Sequence, residues 1–403
     1  MQPVMPVHTD LVLLGAGHAH AEVLRQAAMR PLPGVRVTLI AREAETPYSG
    51  MLPGLVRGEY RHEEAHLDCA RLAAAAGARL ILAAATGIDP VGRAVRFGAR
   101  PDLPFDLLSI DVGGEPQAGT GGIPVKPIGR FLARLAELES RIEAGGRIAV
   151  VGGGASGAEL AIAVAIRLRG RAVVVLVSAA SEVLAGAPGL VRRAVARGLA
   201  AAGVAVVSGG RAVRHEGGRL YLDDGREIVA DAALWATGVR GPRLLAESGL
   251  ACDALGCVRV DAMLRSVSHD GVFAAGDCAS VEGGGRPKAG VWAVRAGAPL
   301  AENLRRAAQG RALQSWRPQR DAVAILGLGA GRAVAWRGRL AVEGVWVAHW
   351  KAWIDRRWMA MYQALRPMGA DAGSVVAGGA GVGGAGDGGA GLGGAGGGAE
   401  SGG

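Results

Sequence analysis

Sulfur, lysine and aromatic rings are scarce in this chain of 403 residues. Its four cysteines, Cys69, Cys252, Cys257 and Cys278, are too scattered to form a disulfide framework, which excludes the small stapled secreted folds. With no secretory apolar segment ahead of the first strand, a reducing, cytoplasmic setting is expected. No uninterrupted apolar run approaches the roughly 18 residues that cross a bilayer. Any membrane contact is therefore expected to be peripheral, on the cytoplasmic face of the inner membrane. Lysine is confined to Lys126, Lys288 and Lys351, so the formal charge of +9 is nearly all arginine. Such an excess suits nucleic acid or a membrane surface, or it reflects arginine and alanine bias of the whole sequence; the second reading is adopted and no nucleic-acid partner is expected. The same bias makes the remaining lysines informative, because each marks a place where a compact ammonium is not exchanged for a planar guanidinium.

What is present in quantity is apolar mass and glycine. Half the residues are hydrophobic, enough for two ordinary cores and an appendage. Leu11–Leu14 reads as a strand that enters GAGHAH, followed by a helix to Met29 and a second strand, Val35–Ile40. The same order recurs from Arg147: the strand RIAVV, the turn GGGASGAE, a helix over 158–168 and the strand Ala172–Val177. FDLLSIDVGG at 105–114 and ADAALWATGV at 230–239 read as exit strands, and VFAAGD completes the first domain after the second has ended. The boundaries that follow are 1–115 with 240–310 for a discontinuous first domain, 116–239 for the second, and 311–366 for a small α+β region. Residues 367–403, almost wholly glycine and alanine, hold nothing large enough to offset their ordering entropy and are expected to be disordered.

A parallel strand that runs through a glycine turn into a helix aims backbone N–H groups and the helix dipole at one point, which suits a pyrophosphate. In the first turn Gly15, Ala16, Gly17, His18 and Ala19 would form the cradle, with His20 where a third glycine is usual. In the second, Gly152, Gly154, Ala155 and Gly157 give the fuller pattern. Two cradles with a later Gly276-Asp277 pair imply one resident flavin dinucleotide, FAD, and one visiting nicotinamide dinucleotide. Asp277 is expected to bond a ribityl hydroxyl. No acid ends the second strand of either domain: Ala41 precedes Arg42, which either stacks on adenine or is solvated, and Val177 precedes Ser178. NADH is favoured over NADPH because nothing offers to neutralise a 2′-phosphate.

The loop 47–60 lacks cysteine, so a dithiol relay beside the flavin is excluded and electrons must leave directly for a small acceptor. Cys252 and Cys257 flank a turn and are read as inert. Lys288 is assigned to stabilising reduced flavin, the alternative being a surface cap; Lys126, between two prolines, is read as a solvated connector. Glu159 either positions the nicotinamide or is a solvated helix carboxylate. On a helical wheel Trp346, Trp350, Trp353, Ile354, Met361 and Leu365 share one side, with His349, Asp355 and Arg356 opposite. That stripe suits an interfacial anchor over 346–366, packing against the flavin domain, or a homodimer contact.

Taken together, GAGHAHAEVL, TPYSGMLPGLVRGEY, LLSIDVGGEP, VKPI, VVGGGASGAELA, ATG, VFAAGDCA, PKAGVWAVRAG and WKAWIDRRWM resemble the FAD-dependent pyridine nucleotide-disulfide oxidoreductase superfamily over residues 8–366. Within it they resemble the type II NADH dehydrogenase-like branch, especially a subgroup often fused to selenide, water dikinase (selenophosphate synthetase). The resemblance implies an α/β fold of the glutathione-reductase type with two Rossmann-like domains, FAD on the first and NAD(P)H on the second. It places Tyr48, Ser49, Gly50, Lys288, Ala289 and Gly290 near the isoalloxazine, and assigns Gly113 and Gly238 to the dinucleotides. It implies membrane attachment through the C-terminal region. A selenium role would need a separate selenophosphate synthetase partner, since the glycine-rich tail stands where the kinase would be. The expected activity is a NAD(P)H oxidoreductase that reduces a quinone or another two-electron acceptor; the alternatives are a selenium-compound reductase and a redox-responsive flavin-binding protein with little turnover.

Overall fold

The computed structural model describes residues 6–283, 288–319 and 321–365. β-Branched and leucine-rich segments build two five-stranded parallel sheets, whose inner strands are near-continuous apolar runs buried on both faces while Arg79–Leu82 and Ala205–Ser208 lie at partly exposed edges. In the first, the spatial order is Val272–Ala274, Leu107–Ile110, Thr9–Leu14, Val35–Ala41, Arg79–Leu82. In the second it is Ile123–Pro124, Ala232–Trp235, Gly146–Val151, Ala172–Ser178, Ala205–Ser208. The edge strand Val272–Ala274 reaches the first sheet only after the chain has left the second. Both sheets are Rossmann-like, and the mixed α/β class expected from the sequence is the one observed.

Each central strand delivers its glycine turn to the carboxyl end of a sheet. The helices His18–Met29 and Ala155–Leu168 begin there, and neither has a capping side chain of its own, since Gly17 and Gly154 stand at the N-caps. The helix Gly290–Ala308 packs closely on His18–Met29. A Cβ at Gly297 would come within 2.6 Å of the Glu22 Cβ, so glycine is what permits the approach.

Residues Ala324–Gly329, Arg332–Arg337 and Leu340–Gly344 form an antiparallel three-stranded sheet that leads into the helix Val345–Gln363. Here the wheel expectation of an outward Asp355 fails, and the stripe itself is divided. Val347, Asp355, Trp358, Met359 and Tyr362 face inward, whereas Trp346 and Trp353 are 57% and 58% exposed and Met361 is exposed too. The neighbouring elements supply the reason: Asp355 is drawn in by Lys351 and Tyr60, and Trp358 and Tyr362 fill space against Tyr48 and Glu22. Packing of the tryptophan stripe on the flavin domain is thereby overturned for these three residues. No helix among the described residues is long and apolar enough to cross a membrane. The tail expected to be disordered lies outside the described residues.

Candidate functional site

At the first cradle the strand Thr9–Leu14 stops at Gly15, whose φ of +98° only glycine adopts cheaply. A Cβ there would meet the Asp111 backbone oxygen at 2.3 Å, and one on Gly17 would lie 2.2–2.3 Å from the Asp111 carboxylate. The glycines therefore make room first for Asp111, which follows the strand Leu107–Ile110. Its Oδ2 accepts the N–H groups of Ala19 at 2.9 Å and His20 at 3.2 Å, so it serves as the N-cap that Gly17 cannot provide. Burial pushes its carboxyl up to about 7. Nothing in the sequence reading named Asp111; its segment, DVGG, looked only like the end of an exit strand.

His20, standing where a third glycine is usual, is fully buried. Its Nδ1 donates to the Gly15 carbonyl at 2.6 Å, so Nε2 accepts the Ser109 hydroxyl at 2.8 Å. The ring pins the turn to the neighbouring strand, and burial holds it down to about 4, neutral at physiological pH.

Around this cradle the structure gathers several of the expected residues. The His18 ring lies edge-on to Tyr48 at 5.3 Å and to Trp358 at 5.4 Å, and Tyr48 stacks on Trp358 at 4.2 Å. A Cβ on Gly290 would sit 3.1 Å from Ser49 Oγ, which brings the loop after Pro47 against the start of the long helix, where Ala289 is the N-cap. Gly276 opens a short 3-10 turn whose Cβ position lies 2.4 Å from Asp111 Oδ1. Gly113 has open space at its Cβ position. Arg42 is exposed beyond the second strand.

Of the three lysines, Lys126 departs from its expected role. Lys126 is no solvated connector: its Nζ meets the Asp277 carboxylate at 2.5 Å. Lys288 donates to the Ala279 carbonyl and lies beside Cys257. Lys351 is nearly buried and donates to Gly50 O and to Asp355, both at 2.8 Å. Burial works against its ammonium, yet Glu159 and Asp355 outweigh that and hold it above the ordinary lysine value. Glu159 is buried rather than solvated: its Oε1 accepts the Gly327 N–H at 2.8 Å, and burial raises its carboxyl despite Lys351 and Arg57. A helix of the second domain, the loop after Tyr48 and the C-terminal helix thus share one buried charge cluster.

At the second cradle Gly152 has φ +135° and a Cβ there would meet Ala236 O at 2.4 Å. Gly153 is held open by Ser178 and Gly157 by Gly152 O at 1.9 Å. Gly154 is different, for a Cβ on it would meet nothing within 4 Å. The chain itself does not need that glycine, but a phosphate lying on the N–H groups of the Ala155 turn would. Gly238 borders this end through its carbonyl, which accepts the Gln117 N–H at 2.7 Å. At the first cradle His18 Nε2 is shielded from water and has no hydrogen-bond partner among the described residues, an atom a bound ligand can satisfy. Both sites therefore fit dinucleotides.

All four cysteines are free thiols. Cys257, remote from the cradles in sequence, lies under the Gly276-Asp277 turn and donates to Asp277 O at 3.4 Å, while Cys278 donates to Ala275 O at 3.1 Å. Burial raises every one of the thiols, Cys69 to about 12, which suppresses thiolate chemistry.

Two parallel-sheet domains, each ending in a glycine cradle, define an oxidoreductase that works with two dinucleotides. Comparison with known proteins agrees: a model described as pyridine nucleotide-disulphide oxidoreductase matches residues 9–297, and the chain belongs to that family, whose cofactors are FAD and NAD(P)H. It is 31% identical over 300 residues to the ferredoxin–NAD(+) reductase component of the p-cumate 2,3-dioxygenase system of Pseudomonas putida, a match that covers 71% of each chain. It is 28% identical over 187 residues to a demethylphylloquinone reductase of Synechocystis, covering 43% of this chain and 46% of that one. Its fold is similar to that of the sulfide:quinone oxidoreductase of Aquifex aeolicus, with a TM-score of 0.73 at 16% identity over 91% and 94% of the two chains.

Proposed function

We propose that this protein passes hydride from NAD(P)H, held on Gly152, Gly154 and Gly157, to FAD held on the first cradle, and hands the electrons to a quinone-like acceptor with no disulfide between. The observation that carries the reading is the pairing of two dinucleotide cradles with four thiols that are all free and all raised by burial. FAD, when bound, supplies the two-electron chemistry; the chain aligns and shields. Lys351, fixed to Gly50 O, would hold a positive charge at the loop that the resemblance puts beside the isoalloxazine, and a bound flavin there would meet an ammonium suited to favouring its electron-rich form. Glu159 and Asp355 beside it are carboxyls kept high by burial, and so are able to hold a proton close to the reducing end.

The exposed Trp346, Trp353 and Met361, with Arg356 and Arg357 on the same helix, support peripheral docking on an anionic membrane in which a quinone resides. A second reading is favoured by the Pseudomonas putida relative, whose partner is a ferredoxin: a protein acceptor attracted by the chain's basic excess.

Anaerobic mixing of the FAD-loaded protein with NADH, and separately with NADPH, is expected to bleach the visible flavin band within seconds. A band that persists with both overturns the reductase reading. Reoxidation of the bleached protein by a short-chain quinone, a ferredoxin or an oxidised selenium compound then separates the acceptors. Slow reoxidation by all three, with an NADH-dependent change of oligomeric state, would favour a redox-responsive binding protein.

A further inference from the structure

We propose that Asp111 is a positioning residue for the flavin dinucleotide and that FAD is taken up together with one proton, which resides on the Asp111 carboxyl. The inference rests on the FAD reading above and adds to the glycine pattern an acid that faces three of its members. Gly15, Gly17 and Gly276 would each, with a Cβ, run into Asp111. No other side chain is shared by the turn, the helix start and the Gly276-Asp277 turn in this way among the described residues. Oδ2 is engaged by two helix N–H groups and Oδ1 faces Gly276. A proton on Oδ1 therefore leaves the cap intact, since Oδ2 keeps both of its donors.

Charge decides the direction of the coupling. The charged and titratable groups that act on Asp111 are Asp277 and Cys278 from the short turn and Lys126, just after the edge strand Ile123–Pro124 of the second sheet, while the His20 backbone N–H caps its Oδ2; the His18 ring acts on Asp277 and Lys126, and the His20 ring on Gly15 O and Ser109. The two histidines are held neutral by burial, each lowered to about 4, and the Cys278 thiol is pushed far up. Lys126 is already committed to Asp277. An ionised Asp111 would thus stand beside Asp277 with a single shared cation before any phosphate arrives. Burial already raises the free carboxyl to about 7. Two phosphate charges brought to the same helix N-terminus raise it further, because like charges a few ångströms apart in a shielded site repel strongly. The balance is simple: the apoprotein with ionised Asp111, FAD and one proton from solvent give the complex with Asp111 neutral, and no covalent bond breaks.

The experiment uses the full chain stripped of flavin and titrated with FAD at pH 6, 7, 8 and 9. The Kd is expected to be level near pH 6 and to weaken towards tenfold per pH unit above about 7. Calorimetry at pH 8 in two buffers of different ionisation enthalpy is expected to register close to one proton taken up per FAD. Asp111→Asn keeps an oxygen for the two N–H groups and cannot ionise; its Kd is expected to be flat with pH and its proton uptake near zero. Tight binding by the wild type with no pH slope and no proton uptake overturns the assignment to Asp111 alone, as does an unchanged slope in the Asn variant. Failure of the wild type to bind FAD even at pH 6 overturns the flavoprotein reading and this inference together. Should the variant not fold, the calorimetry on the wild type still decides.

Discussion

At the scale of single residues, the meaning of a glycine depends on what its missing Cβ would meet. The two turns are legible in the sequence because strand, glycine pattern and helix follow one another within a few positions. The reason for each glycine is not legible, since the obstructing atoms come from elsewhere: Asp111 lies 92 residues from Ala19, whose N–H it caps. Lys126 was hidden for the same reason, its carboxylate being 151 residues away. The second cradle allows structural and ligand roles to be separated. Gly157→Ala forces a Cβ to within 1.9 Å of a backbone oxygen and is expected to cost about 1–3 kcal/mol, seen as a lower Tm. Gly154→Ala meets only open space and is expected to leave Tm and flavin content unchanged while raising KM for NAD(P)H about tenfold or more. An unaltered KM in Gly154→Ala would remove the second cradle as the nicotinamide dinucleotide site.

The helix Val345–Gln363 shows the limit of reading elements one at a time. Periodicity shows a helix and a tryptophan-rich side, but which side turns inward is settled by partners far away in the chain. Tyr60 offers a hydroxyl to Asp355, Gly50 a carbonyl to Lys351, and Glu22 a carboxylate to Tyr362. Satisfying those buried polar groups outweighs burying two more indoles, because an unpaired polar group left in the interior is the costlier defect. Trp346 and Trp353 are consequently left outward with little to do for the fold. Replacing both with glutamine is expected to leave Tm within about 2 °C, since exposed substitutions rarely exceed about 0.5 kcal/mol. The same pair is expected to weaken co-sedimentation with liposomes containing anionic lipid, by roughly tenfold for each 1.4 kcal/mol of indole insertion lost. Unchanged co-sedimentation would count against this face as the membrane contact.

For the whole molecule, the parallel α/β class and the return of Val272–Ala274 to the first sheet are foreshadowed by strand-turn-helix order, whereas the protonation pattern of the interior has no sequence signature at all. It makes the fold acid-sensitive in a way that can be worked out in sign. His18 and His20 are lowered from 6.5 to about 4 by burial, so between about pH 4.5 and 6.5 the unfolded chain binds two protons that the folded chain does not. Their contribution to stability is present above 6.5 and is lost as pH falls towards 4. Asp111 is raised from 3.8 to about 7, so over the same window it is protonated when folded and ionised when unfolded, and it opposes the histidines by one proton. Asp111→Asn removes the opposing proton. The flavin-free variant should therefore lose stability on acidification more steeply than the flavin-free wild type, by about 1.4 kcal/mol per pH unit. Urea unfolding followed at half-unit steps from pH 5 to 6.5 reads this difference directly. Parallel stability curves for the two proteins would mean that Asp111 is ionised in the folded chain throughout the window, and that the cap on the first helix carries a full negative charge into the flavin site.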